Sequence, residues 1–208
     1  MLKSVPFVLL SLAALSGLPT AAHADELIHI PTADLVPGLT AEYKHRLKGN
    51  DEGYGSVRFP AGLAYELDFR YYNREDHENN IEGGGMFQLL PDGVVTPGVA
   101  LGVWDVTNSS RWGRRGFLTI TKALQPGQLF VRKPLERLQL TFGTGTGRFS
   151  GIFAGVRADL PANFSLVTEF DSRRLNAGIW FTPVRPLTLK AELQNGNPYF
   201  GGQFRLVY

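Results

Sequence analysis

The residues with the clearest capacity for chemistry are histidines. His29, His45 and His77 fall after the N-terminal leader-like stretch. His77 lies in Arg74-Glu75-Asp76-His77-Glu78, beside three acids. A histidine among carboxylates is what a hydrolase or protease needs for acid–base work, and it also suits a metal. The plainer reading is a solvated charged turn. No His-Glu-x-x-His, no Gly-x-Ser-x-Gly and no metal-spaced cluster accompanies it. Gly143-Thr144-Gly145-Thr146-Gly147 has the glycine density of a phosphate loop. It lacks the Gly-Lys-Ser/Thr ending and no helix pattern follows, so it reads as a strand leading into a turn. Gly83-Gly84-Gly85 reads as a flexible turn or a bend in a sheet. Arg111-Trp112-Gly113-Arg114-Arg115 is the densest basic patch, suited to anionic headgroups or sugar phosphates, or to a solvated rim. No residue set calls for a cofactor.

The elements that must position these groups have a period of two, not 3.6. From Leu39 to Lys48, Leu39, Ala41, Tyr43, His45 and Leu47 share one face, and Thr40, Glu42, Lys44, Arg46 and Lys48 the other. Leu63 to Tyr72 repeats the pattern, with Glu66, Asp68 and Arg70 opposite the apolar set. Strand segments are expected near 39–48, 62–73, 85–90, 98–106, 116–123, 137–146, 151–159, 163–171, 174–182, 186–195 and 199–208, separated by Gly-, Pro- and Asn-rich turns. Many are about ten residues long, the length of a tilted strand crossing a bilayer. That makes eleven, whereas barrels of this type have an even number. The expectation is an all-β fold, an antiparallel transmembrane β-barrel of about 12 strands with 10 as the rival count. Either Glu26 to Ile30 supplies the missing strand, or a weak segment such as 85–90 drops out.

Lys3, the apolar run Val5 to Leu15 and Ala22-His23-Ala24 have the three parts of an export signal, so residues 1–24 are expected to be removed and 25–208 to form one domain. Later apolar runs are broken by charge, Gly or Pro, so a membrane-spanning form would have to be a closed barrel. The chain has no Cys, which excludes disulfides and thiolate metal sites. A formal net charge of +2 gives no field that favours nucleic acid.

Two architectures fit the alternation. A soluble sandwich hides the apolar face; a membrane barrel turns it outward and encloses the polar one. The aromatics near strand ends (Tyr43, Tyr65, Tyr71, Phe142, Phe170, Phe181, Tyr208) favour the barrel, as does an alternating last strand closing on Phe204, Leu206 and Tyr208, which resembles an insertion signal read by barrel-assembly machinery. Glu42, Lys44, Arg46, Glu66, Asp68, Arg70, Arg157, Asp159, Glu169, Asp171, Lys190, Glu192 and Arg205 would then point into the lumen. There they would form cross-strand ion pairs that fill it, or line a narrow water path. Trp104 and Trp180 also fall on the inward face, where they would pack the lumen or stack on a sugar.

Short stretches resemble a known family. Ile30-Pro31-Thr32-Ala33-Asp34 is similar to the Pro-Thr/Ser-Ala opening of YjbH-type outer-membrane barrels, and Ala100-Leu101-Gly102-Val103-Trp104-Asp105-Val106 to their Gly-x-x-Asp strand end. Phe153-Ala154-Gly155-Val156, Leu166 to Asp171 and Leu175-Asn176-Ala177-Gly178 resemble a hairpin series common there. The resemblance implies an outer-membrane barrel linked to exopolysaccharide production or export, with lipid and polysaccharide as partners and no catalytic residues. The competing readings are a narrow passive channel, an outer-membrane hydrolase or protease using His77, and a secreted soluble β protein.

Overall fold

The computed structural model describes residues 26–49, 52–74, 77–110, 113–125 and 135–207. The expected signal segment 1–24, Arg111, Trp112 and Tyr208 lie outside them. The described residues form twelve strands: β1 (Gly38–Arg46), β2 (Gly53–Pro60), β3 (Tyr65–Arg74), β4 (His77–Leu90), β5 (Gly98–Trp104), β6 (Arg115–Leu124), β7 (Arg137–Gly145), β8 (Gly151–Leu160), β9 (Phe164–Phe170), β10 (Leu175–Val184), β11 (Leu187–Gln194) and β12 (Asn197–Val207). Each pairs antiparallel with its neighbour in sequence. β12 returns to β1 in a register running from Gly38 opposite Val207 to Arg46 opposite Tyr199, so the sheet closes on itself. Closure satisfies both edges of a sheet that otherwise exposes unpaired backbone groups.

The count of twelve is reached by a different route from the one expected. The missing strand is β2, which pairs with β1 and β3. Gly53, Gly55 and Pro60 give it the composition of a turn, but cross-strand pairing on both sides overrides that local preference. Glu26 to Ile30 is not a strand. The weak segment at 85–90 is the C-terminal part of a 14-residue strand, and Gly83-Gly84-Gly85 lies within it rather than at a turn. An inward side chain at Gly84 would meet the Val103 carbonyl oxygen at 2.6 Å and Trp104 at 2.9 Å, so only glycine fits there.

Burial alternates along the strands, and the buried face is the polar one. Thr40, Glu42 and Lys44 are buried on β1, while Leu39 and Tyr43 are exposed. Phe69, Ile120, Phe142, Leu166 and Ile179 also point outward and are exposed. Leu63 and Leu67 are exposed, and Leu138 and Leu189 lie half-buried; none of them belongs to the buried hydrophobic cluster. Near the end that carries Gly38 and Val207, here the terminal end, aromatics pair on the outer wall: Tyr65 with Phe87 and Phe164 with Phe181, each at 4.7 Å between centroids, and Phe59 with Phe69 at 6.2 Å. Tyr43, Tyr71, Phe170 and Phe200 ring the opposite end, where His45 is half-buried among them on the outer face.

The connection from β5 to β6 at that opposite end is built on Asp105. Its carboxylate accepts the Ser109 and Ser110 N–H groups at 2.8 and 2.9 Å and the Ser110 hydroxyl at 2.6 Å. Burial works to raise the Asp105 pKa, but these bonds outweigh it and hold the group below its ordinary value of 3.8. A depressed carboxylate stabilises the fold above its unfolded value and loses that contribution as pH falls through the folded one. Protection of the Ser109 and Ser110 amides relative to their intrinsic exchange rates should therefore hold at neutral and mildly acid pH and be lost only below the ordinary aspartate range. Asp105→Ala should lose that protection at every pH.

Candidate functional site

A barrel of about eight strands is just filled by its own inward side chains, and wider barrels leave space. In this twelve-stranded barrel the space is occupied by residues 26–37, which run along the lumen from near the opposite end down to β1. Leu27, Ile28, Ile30, Ala33 and Val36 are almost fully buried. With no strand partner, the segment's backbone groups bond to inward side chains of the wall. The N–H groups of Ile28, His29 and Ile30 all donate to Glu169 Oε2, at 2.9, 3.0 and 3.2 Å. Ala33 N–H donates to Thr121 Oγ1 at 2.9 Å, and Val36 N–H to Glu66 Oε2 at 2.8 Å. The Pro31 carbonyl accepts from Thr119 Oγ1 at 3.0 Å, and the Ala33 carbonyl from Gln88 Nε2 at 2.8 Å. These contacts come from four strands, β3, β4, β6 and β9, so the segment is a plug tied on several sides.

Apolar surface seats the same segment. Gly155 on β8 leaves a slot for Leu27 and Ile30; a Cβ there would lie 2.3 and 2.9 Å from their Cδ1 atoms. Phe117, Trp104, Phe149 and Phe153 form an aromatic cluster, in that order, with ring centroids 5.2, 5.2 and 5.3 Å apart, and Phe149 reaches it from the short 3-10 turn Gly147–Phe149.

The rest of the lumen is an ion-pair lattice. Lys44 Nζ lies 2.8 Å from Glu42 and 3.0 Å from Glu192, and Lys190 Nζ lies 3.1 Å from Glu42. Glu192 also accepts the Trp180 indole N–H at 2.8 Å, and Lys190 Nζ stands 4.1 Å from the centre of that ring. Arg70 pairs with Asp68, makes a two-pronged contact of 3.1 Å to each Glu26 oxygen, and stacks 3.5 Å over Trp104. Arg157 bonds Asp159 at 2.7 Å, and Arg148 bonds Asp171 at 3.0 Å near the opposite end. Arg46 is half-buried at that end, against Asn197 at 2.6 Å, and Arg205 is half-buried toward the terminal end.

The thirteen residues expected to face inward thus divide. Most are buried in the lattice, Glu66 and Glu169 hold the plug, and Arg46, Asp159 and Arg205 are only half-buried. Arg58, Glu82 and Arg115 are also buried in the lumen, and nothing in the alternation of the recognised segments marked them. Arg58 lies on the unrecognised β2, Glu82 precedes the segment recognised in β4, and Arg115 pairs with Glu82 instead of joining Arg114 in an exposed patch. Phe204 and Leu206 are exposed on the outer face. His77 begins β4, and its side chain lies outside the description. Among the described residues no cluster of His, Asp and Glu could hold a metal.

Burial acts on the plug's own ionisable groups. It raises Asp34 to about 6 against the pull of Arg137 and raises Glu26 against the pull of Arg70. His29 is driven well below its ordinary value, first by burial and then by Arg148, Lys44 and Arg70.

Structurally the protein is a closed antiparallel β-barrel with a charged lumen stoppered by its own N-terminal segment. Comparison of the sequence with models of protein families gives no match, and neither does comparison with curated proteins.

Proposed function

We propose that this chain is a non-enzymatic outer-membrane β-barrel, structural or accessory to envelope polysaccharide production or export, in the manner suggested by its short YjbH-type motifs. The observation that carries the membrane assignment is the inversion of the wall: charges inside, apolar side chains outside all round. Soluble monomers rarely leave contiguous apolar surface larger than a few hundred Å² uncovered. Hydrocarbon is the environment in which such a belt is favourable, and aromatic girdles mark its borders. The N-terminal leader-like stretch and the alternating C-terminal strand fit export and assembly by the same route.

The plug and the paired lumen charges favour a structural role over a passive channel. Reconstituted into planar bilayers, the intact chain should insert stably and pass no steady ion current. Reproducible single-channel steps from the intact chain would overturn the structural reading in favour of the channel.

The membrane assignment has its own test. Ile179 lies at mid-strand on the outer face and is 52% exposed. Ile179→Arg should lower stability in lipid by about 2–4 kcal/mol, the cost of a cation at the bilayer midplane. On a water-facing wall the same change would stay within about 0.5 kcal/mol. Unfolding from vesicles in urea separates the two.

A further inference from the structure

Above the plug, at the end opposite the termini, the lumen widens into a cavity of about 240 Å³ whose floor includes Ile28 and His29. That is slightly below the usual size of small-molecule pockets, about 300 to 1,000 Å³, so it suits one small ligand and not a polymer chain.

The wall is cationic where it meets the cavity. Lys44, Arg70, Arg115, Arg148, Arg173 and Arg174 all line it. Three acids also line it, Glu26 held by Arg70, Glu52 beside Arg46, and Asp171, so cations outnumber acids six to three on the lining, whereas Glu42, Asp68, Glu82 and Glu192 do not line it. At the mouth, Asp171 is engaged by Arg148 and also accepts the Arg173 and Arg174 N–H groups of its own turn, at 3.2 and 2.9 Å. Among the described residues the Arg174 guanidinium has no partner, and the buried Arg115 Nε has no hydrogen bond. His29 on the floor is held well below its ordinary value first by burial and then by Arg148, Lys44 and Arg70.

The remaining lining is polar and aromatic. Tyr54 and Tyr72 form a pair with centroids 5.1 Å apart, and Asn73, Gln194 and Asn195 contribute amides. Guanidinium groups recognise carboxylate or phosphate, aromatic faces cover a ring, and amides match hydroxyls. The geometry points to a binding site for a monosaccharide bearing one anionic group, a uronic acid or a sugar phosphate. The site is built from the barrel interior and stands independently of the polysaccharide reading above.

The refolded barrel, titrated with glucuronate, glucose 1-phosphate, glucose and inorganic phosphate while its tryptophan fluorescence is followed, tests this, Trp104 being the tryptophan that lines the cavity among the described residues. At least one charged sugar should saturate the signal at millimolar concentration, and which one does decides between carboxylate and phosphate. Glucose should not bind. Arg174→Gln, an exposed change with no effect expected on folding, should weaken binding by about tenfold, the worth of one charge-assisted contact. Tyr54→Leu should weaken the charged sugar without creating affinity for phosphate alone. Failure of both charged sugars to bind, equal binding of glucose, inorganic phosphate binding as tightly as the sugar phosphate, or indifference to Arg174→Gln would each overturn the assignment.

Discussion

Glu169→Ala should convert a silent barrel into a conducting one. One carboxylate oxygen of Glu169 accepts three successive backbone N–H groups of the plug, and its other oxygen accepts Asn176 Nδ2 at 3.0 Å. Hydrogen bonds to a charged acceptor contribute roughly 1.5–3 kcal/mol each, and an unsatisfied buried donor costs about 1–3 kcal/mol. Alanine removes the acceptor and leaves three donors stranded. Water entering the lumen from the cavity is their nearest replacement, and admitting it means unseating residues 26–30. Single-channel recording should show steps absent from the unaltered protein, and limited proteolysis should cut the segment from that end. Glu169→Gln keeps a carbonyl oxygen and should fall between the two. Gly155→Leu is the independent check: it fills the slot of Leu27 and Ile30 while leaving Glu169 intact, so it should also release the plug. If both variants remain silent with the segment protected, the plug is not what closes the lumen.

The plug is also where sequence reading stopped. Strands such as β1, β3, β9 and β11 were legible because each repeats a two-residue pattern that needs no knowledge of its neighbours. β2 was not, because Gly53, Gly55 and Pro60 resemble a turn until β1 and β3 flank them. The plug has neither period. Its bonds reach partners 139 to 141 residues away at Glu169 and 88 away at Thr121, so nothing local encodes its path. One clue was present: Leu27, Ile28, Ile30, Ala33 and Val36 are apolar without alternating, next to a barrel too wide to fill itself.

The lattice beside the plug makes the second large prediction. Glu42 touches Lys44 at 2.8 Å and Lys190 at 3.1 Å, with Arg58 at 3.9 Å. Glu42→Leu leaves Lys44 with Glu192 at 3.0 Å and takes an acid away from Lys190 and Arg58. Removing one partner from a buried ion pair costs about 3–5 kcal/mol, because the other charge stays desolvated and uncompensated. The variant should unfold at a clearly lower denaturant concentration with an unchanged slope. Replacing both partners should behave differently. Glu42→Leu combined with Lys190→Met removes an acid and a base together, and apolar substitutes for a buried pair are often neutral. The double variant should therefore be more stable than Glu42→Leu alone, with a coupling of about 0.5–3 kcal/mol between the sites. Additive losses would mean that each side chain acts through its own packing and that the charge pair does not tie β1 to β11 across β12.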